Sequence, residues 1–306
     1  MPRQIARRTW EIFRNEGLLG LLKSVLEVLI EIPRRMYYLV RTKTRYYKYR
    51  IEFDDSAPEP YEIIYVDPSD VDNRIYPWFQ LELSDFGTYV FDGSWDEDYS
   101  SETIGYTPSS LYLVVPLEDT LFFDTVKDWI NRDAEWNDTE WYSLDIRNKS
   151  KNKADKRENK IKNIYKSMNS EGYLSQRELL TDSENYSVRR NILLPPEHFE
   201  VEVAVGRDGE IFFVDGKHRF SIAKYTNITS IPVRVLVRHK EWQEIRHEIY
   251  KKVDSGSVSE LNPRLRSYLE HPDVQNIRQL DTCGDKHVGG DARPERDHAD
   301  DDAEHD

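Results

Sequence analysis

The stretch GRDGEIFFVDGKHRFSIAKYTNITSIPVRVLVRH, residues Gly206 to His239, decides the fold. With the residues just before it, it reads as a β-hairpin. Glu200–Val205 forms one strand, Gly206–Arg207–Asp208–Gly209 the turn, and Glu210–Val214 the second strand. Asp215 and Gly216 make another turn, since glycine reaches positive φ without steric cost. A helix over 217–227 follows, then a third strand at Ile231–His239 with apolar and polar residues alternating, then a helix over 240–252.

The helix over 217–227 opens with Lys217, His218 and Arg219. Its first backbone N–H groups lack helical partners, and the macrodipole makes that end positive. Of the neighbouring residues only Asp215, at a capping position, is acidic. Three cations at this end make electrostatic sense when an anion, phosphate above all, sits among them. The competing reading leaves Lys217 in solvent and bonds His218 and Arg219 to a neighbouring strand.

Upstream, a helix over 155–170 carries the apolar stripe Ile161, Ile164, Tyr165 and Met168, preceded by a charged linker from Asn148 to about Asp155. Residues 51–150 read as a separate mixed α/β region. It has strands at Tyr61–Asp67 and Ser110–Leu117, a polar turn at Phe91–Asp98, and a helical segment within 118–147. Residues 155–252 form the next domain, 256–280 a short C-terminal helix, and 281–306 a disordered acidic tail with ten Asp and Glu. His287, His298 and His305 lie in that tail, where flexibility argues against a metal site, so no metal centre is expected.

The leading segment differs in charge from the rest. Residues 1–50 hold 12 Lys and Arg against 4 Asp and Glu, in a chain whose net charge is −14, so the remaining residues carry −22. Leu18, Leu22, Val25, Leu29 and Ile32 recur at helical spacing until Pro33, and Met36–Arg50 interleaves tyrosines with cations. One reading lays this basic amphipathic helix on an anionic membrane face; the other packs it on the protein's own body. The apolar run is cut by Lys23, Glu27 and Glu31, so neither a signal peptide nor a membrane span is expected. A single cysteine, Cys283, allows no disulfide within the chain. A cytoplasmic location follows as the expectation, peripheral at the inner face of the plasma membrane if the helix docks there. The acidic body argues against nucleic acid as a partner and suits a protein kept dissolved in high salt.

Two aromatic–acid clusters, Trp95 with Asp96 and Trp136, Asp138 and Trp141, could present a sugar platform, with indole faces on pyranose rings and carboxylates on hydroxyls. The alternative is tryptophans in the core beside acids facing solvent.

The DG-x-HR turn followed by a helix and IPVRV resembles the core of the ParB/sulfiredoxin superfamily, over about residues 155–250. The resemblance implies an α+β fold: a ParB/sulfiredoxin-like domain preceded by a small mixed α/β region and the basic amphipathic helix. It further implies that Gly216, His218 and Arg219 hold a nucleotide phosphate, of ATP or CTP, and that Gln176 lines the same cleft; Lys217 adds its charge to that turn, and Mg is a candidate companion of the nucleotide. Sulfiredoxins carry a cysteine directly before the His-Arg pair; Lys217 stands there, which removes sulfinic-acid reduction. Partition proteins continue into a DNA-binding domain, whereas here a short stretch leads into the acidic tail. A phosphotransferase needs a carboxylate base, for which Asp215, Glu178 and Glu202 are candidates.

A second resemblance covers shorter blocks. RRTWEIFRNEGLLGLLKSV is similar to N-terminal helices of haloarchaeal surface-glycan and N-glycosylation proteins, and FDGSWD, WNDTEWY, IYKSMNSEGYLSQREL and EHPDV resemble recurrent blocks of a family from that setting. It implies a sugar-processing or phosphoryl-transfer enzyme acting on a phosphorylated small molecule or lipid-linked glycan. A non-catalytic nucleotide-gated module is the alternative.

Overall fold

The computed structural model describes residues 36–76, 88–97, 114–132, 135–148, 150–181 and 194–275, with residues 14, 17–20 and 33. Most of the expected helix 3–32 and the whole acidic tail, with its three histidines, lie outside the described residues.

The fold is α+β, built on a mixed seven-stranded sheet. Its strands are β1 (Ile63–Val66), β2 (Asn73–Ile75), β3 (Tyr89–Phe91), β4 (Val114–Pro116), β5 (Val201–Val205), β6 (Ile211–Asp215) and β7 (Ile231–His239). They run in the order β1-β7-β5-β6-β2-β4, with β3 also pairing β7. The helices are α1 (36–53), α2 (Leu121–Asn131), α3 (Glu140–Asn148), α4 (Lys151–Glu171), α5 (Gln176–Thr181), α6 (Lys217–Tyr225), α7 (Lys240–Asp254) and α8 (Pro263–Ser267).

The hairpin β5–β6, the helix α6 and the strand β7 stand where the sequence predicts them. Gly209 in the hairpin turn has φ +87, and a Cβ there would lie 2.7 Å from the Trp242 ring, so both conformation and space demand glycine. The stripe of α4 is buried at Ile161 and Met168 and partly buried at Ile164 and Tyr165.

Three expectations are corrected. Residues 51–150 are not a separate unit, because β1 and β3 pair with β7, and β2 pairs with β6 at Arg74↔Phe213. The expected linker after Asn148 is helical from Lys151 on. Nor is β7 a half-exposed strand: all nine of its residues are buried, including Arg234 and Arg238. A strand flanked on both sides within a sheet covered on both faces has no solvent face for its polar residues.

Alternation along β5 and β6 divides two cores. Val201, Val203, Val205 and Phe213 face one side, with Phe122, Phe123, Trp136, Ile161 and Phe220 of the helical layer. Ala204, Phe212 and Val214 face the other, with Tyr89, Trp95 and Leu236. On the first side α6 packs against α2 and α4, and α3 packs against both α2 and α4. Lys224 fixes the far end of α6, donating to the carbonyls of Pro68, Ser69 and Val71 at 3.0, 3.2 and 2.8 Å.

Charged residues lock the C-terminal segment to the sheet. Arg238 donates to Asp273 (Nε, 2.8 Å) and lies 2.9 Å from Glu62. Arg246 donates to Glu62 (2.9 Å), and Trp242 donates its indole N–H to Asp273 (2.8 Å). Burial pushes the Asp273 carboxyl up, but Arg238 and Arg246 outweigh it and hold the group well below the usual carboxylate range. Among the described residues no helix is long and apolar enough to cross a membrane.

Candidate functional site

The amino end of α6 sits where the sequence places it, at the carboxyl end of β6. Gly216 is its N-cap, with φ +94 in the left-handed region, and no side chain caps the helix. A Cβ at Gly216 would stand 3.0 Å from Val201 Cα and Cγ2, so the turn lies directly on β5. The first turn of α6 contains no acidic residue.

His218 packs edge-on against Phe122 at 5.3 Å between ring centroids. Its Nε2 is buried with no hydrogen-bond partner. Burial first, then the positive charges of Lys217, Lys160, Arg157 and Arg219, push the imidazole down to about 3, so it is neutral at pH 7. Lys217 Nζ lies 4.1 Å from the Trp141 ring centre and 4.5 Å from that of Phe122, a cation–π contact with two rings. Trp141 also meets Phe122 edge-on, at 5.0 Å, and its indole Nε1 is likewise buried without a partner. Two buried nitrogens thus flank one phenyl ring, unsatisfied, in a neighbourhood whose strongest charges on His218 are all positive. An unmade buried hydrogen bond costs on the order of 1–3 kcal/mol and asks for an explanation.

Arg219 is in the same turn but is committed elsewhere. Its Nη1 donates to Glu200 at 2.9 Å and to the Tyr173 hydroxyl at 3.2 Å, and its Nη2 donates to the Phe199 carbonyl. It therefore gives the site charge at a distance, not a bidentate clamp. The Gln176 side chain is not what ties α5 to this region: its backbone N–H donates to Glu200. Glu200 is the residue that sequence reading missed. Burial raises its carboxyl despite Arg219, the Gln176 N–H and Tyr173. Its only sequence signal was an acid at the start of a hairpin strand.

The three candidate bases separate. Glu178 accepts from the Ser175 N–H (2.7 Å) and hydroxyl (2.6 Å), a capping box at the start of α5 that lowers its carboxyl. Glu202 is buried on β5 and paired with Arg234, whose Nη1 also lies 2.9 Å from His198 Nδ1. Asp215 is exposed at the end of β6, directly across from Glu202 in the strand register. Ser175 and Arg234 hold Glu178 and Glu202, and Asp215 is not among the charges that weigh most on His218.

The sugar platform is corrected for Trp95 and Trp136. They are 2% and 1% exposed, on opposite sides of the sheet, and have no face to offer a ring. Asp96 is buried against Arg207, which donates to it from Nη2 at 2.7 Å and from the backbone at 2.7 Å. Trp141 alone of the four remains beside the α6 turn. Among the described residues no group of three or more His, Cys, Asp or Glu could hold a metal ion.

No family model, curated protein or solved structure matches this chain.

Proposed function

We propose that this protein binds a phosphorylated small molecule with its phosphate at the amino end of α6. The observation that carries the reading is the pair of buried, unpartnered nitrogens, His218 Nε2 and Trp141 Nε1, beside an uncapped helix start. The indole N–H is a donor, and the neutral imidazole is one in its Nε2–H tautomer. Two side-chain donors, the positive end of the helix dipole and the charge of Lys217 suit a phosphoryl group, whose oxygens only accept. The ligand class, a nucleotide or the phosphate of a lipid-linked glycan, comes from the sequence resemblance, and a lipid carrier would set the protein to work at the cytoplasmic face of a membrane. Reversible binding fits the geometry better than phosphoryl transfer, since each candidate carboxylate has a structural bond or lies outside the cluster.

Isothermal titration with inorganic phosphate, ATP and CTP tests this. We expect the native chain to bind at least one of them, and His218→Ala and Trp141→Phe each to weaken it about tenfold, near 1.4 kcal/mol. Absence of binding, or variants that bind as the native chain does, overturns the reading.

A further inference from the structure

The two readings of the basic leading segment are compatible, because α1 has two faces. Its inner face holds it to the body. Thr42 and Phe53 are buried, the Tyr49 hydroxyl accepts from the Val90 N–H of β3 at 2.9 Å, and Phe53 meets His247 of α7 edge-on. Among the described residues nothing covers its outer face. Met36, Tyr37, Val40, Tyr47 and Ile51 are 51, 57, 59, 65 and 87% exposed. At 100° per residue these five fall within one quadrant or so of the helix, a continuous apolar stripe.

Exposed cations border the stripe on both sides: Arg41 and Lys48 along one edge, Lys43 along the other. From Pro33 to Ile51 the chain has seven Lys and Arg and no acid, although the whole protein is at −14. Next to the Arg41–Lys48 edge an open cleft of about 550 Å³ runs between α1 and β3, lined by those two cations with Tyr37, Tyr49 and Phe91. Arg45 lies in its wall, stacked 3.5 Å over Tyr89.

An apolar stripe with tyrosines, edged on both sides by cations and lying along a surface, matches a bilayer interface: apolar residues enter the acyl boundary, tyrosines stay at headgroup depth, and cations meet lipid phosphates. We infer that the outer face of α1 docks on an anionic lipid surface, with the cleft beside Arg41 and Lys48 receiving phosphate headgroups. A protein partner is the weaker fit, since it would have to supply acids on both sides of an apolar groove. The inference rests on the membrane-face part of the proposed function and is independent of what occupies the α6 turn.

The test is flotation of the full chain with phosphatidylcholine vesicles, with and without phosphatidylglycerol. The native chain should float with the anionic vesicles and stay behind with the neutral ones. Arg41→Gln with Lys48→Gln should weaken the association roughly 25-fold, about fivefold per cation. Val40→Asp with Ile51→Asp should abolish it at an unchanged melting temperature, because both side chains stand in solvent. If the native chain floats and both double variants float equally well, the α1 face is wrong and the membrane reading stands. If the native chain floats with neither vesicle, both fail. If it sediments as a dimer that Val40→Asp with Ile51→Asp dissociates, the stripe belongs to a second copy and the inference is overturned.

Discussion

Two polar clusters, one around Asp273 and one around His218, are built differently. Around Asp273, two arginines meet two carboxylates with an indole N–H and backbone carbonyls filling further positions. Around His218, the four charges that weigh most are all positive, and two buried nitrogens have no partner. The charges of the first cluster are paired within the chain, although Arg238 Nη1 has no hydrogen-bond partner, and they serve architecture: they tie the segment after α8 to β7 and α7. In the second, Arg157 pairs with Asp145 and Arg219 with Glu200, and the two unpartnered nitrogens are the place we propose for an anion.

The comparison breaks most visibly at Asp273. Asp273→Ala leaves Arg238 and Arg246 buried with only Glu62 between them and removes the acceptor for Trp242. It should destabilise the fold by about 3–5 kcal/mol in urea denaturation. A loss below about 1 kcal/mol would mean that water reaches the arginines and the cluster is not a closed unit.

His218 gives the next largest effect, and it depends on pH. Its folded state disfavours the proton, so its contribution is intact above the unfolded value near 6.5 and is lost as pH falls toward about 3. By pH 5 the native chain should lose about 2 kcal/mol that His218→Gln, which does not titrate, retains. Saturating phosphate should shrink that loss, since an anion beside the imidazole favours its charged form. Urea denaturation at pH 7.5 and pH 5, with and without phosphate, reads all of this. Equal pH dependence in the two proteins would remove His218 from the buried cluster.

The same contrast separates what could be read in the sequence from what could not. The hairpin, α6 and β7 were legible because their signals are local: glycines at turns, β-branched runs, and a break between strand and helix. The positive helix start was legible for the same reason. The partners of the buried charges were not. Arg234 and Arg238 look like the polar half of an alternating strand, yet both are sealed in, and Arg238 finds its acids at Glu62 and Asp273, far away on either side in the chain. Arg219 resembled a phosphate ligand until Glu200, at the entry to β5, was seen to hold it. Trp95 and Trp136 have acidic neighbours in sequence but hydrophobic ones in space. Composition beside a residue does not say which way it points; strand pairing over long sequence separations does.

Lys160 offers the smallest effect and the cleanest discrimination. It lies exposed on α4 and adds its positive charge to those lowering His218. In a compensated cluster, removing one charge is costly. Here, Lys160→Gln should leave stability in phosphate-free buffer unchanged or raise it by a few tenths of a kcal/mol, because a like charge has gone. In the presence of phosphate the sign should reverse, since ligand stabilisation follows occupancy and the variant binds more weakly. Thermal melts across a phosphate series therefore have to cross: the variant equal or higher without the anion, lower with it. Parallel curves would place Lys160 on an ordinary solvated helix face and leave the His218 cluster with one cation fewer than the electrostatics assign to it.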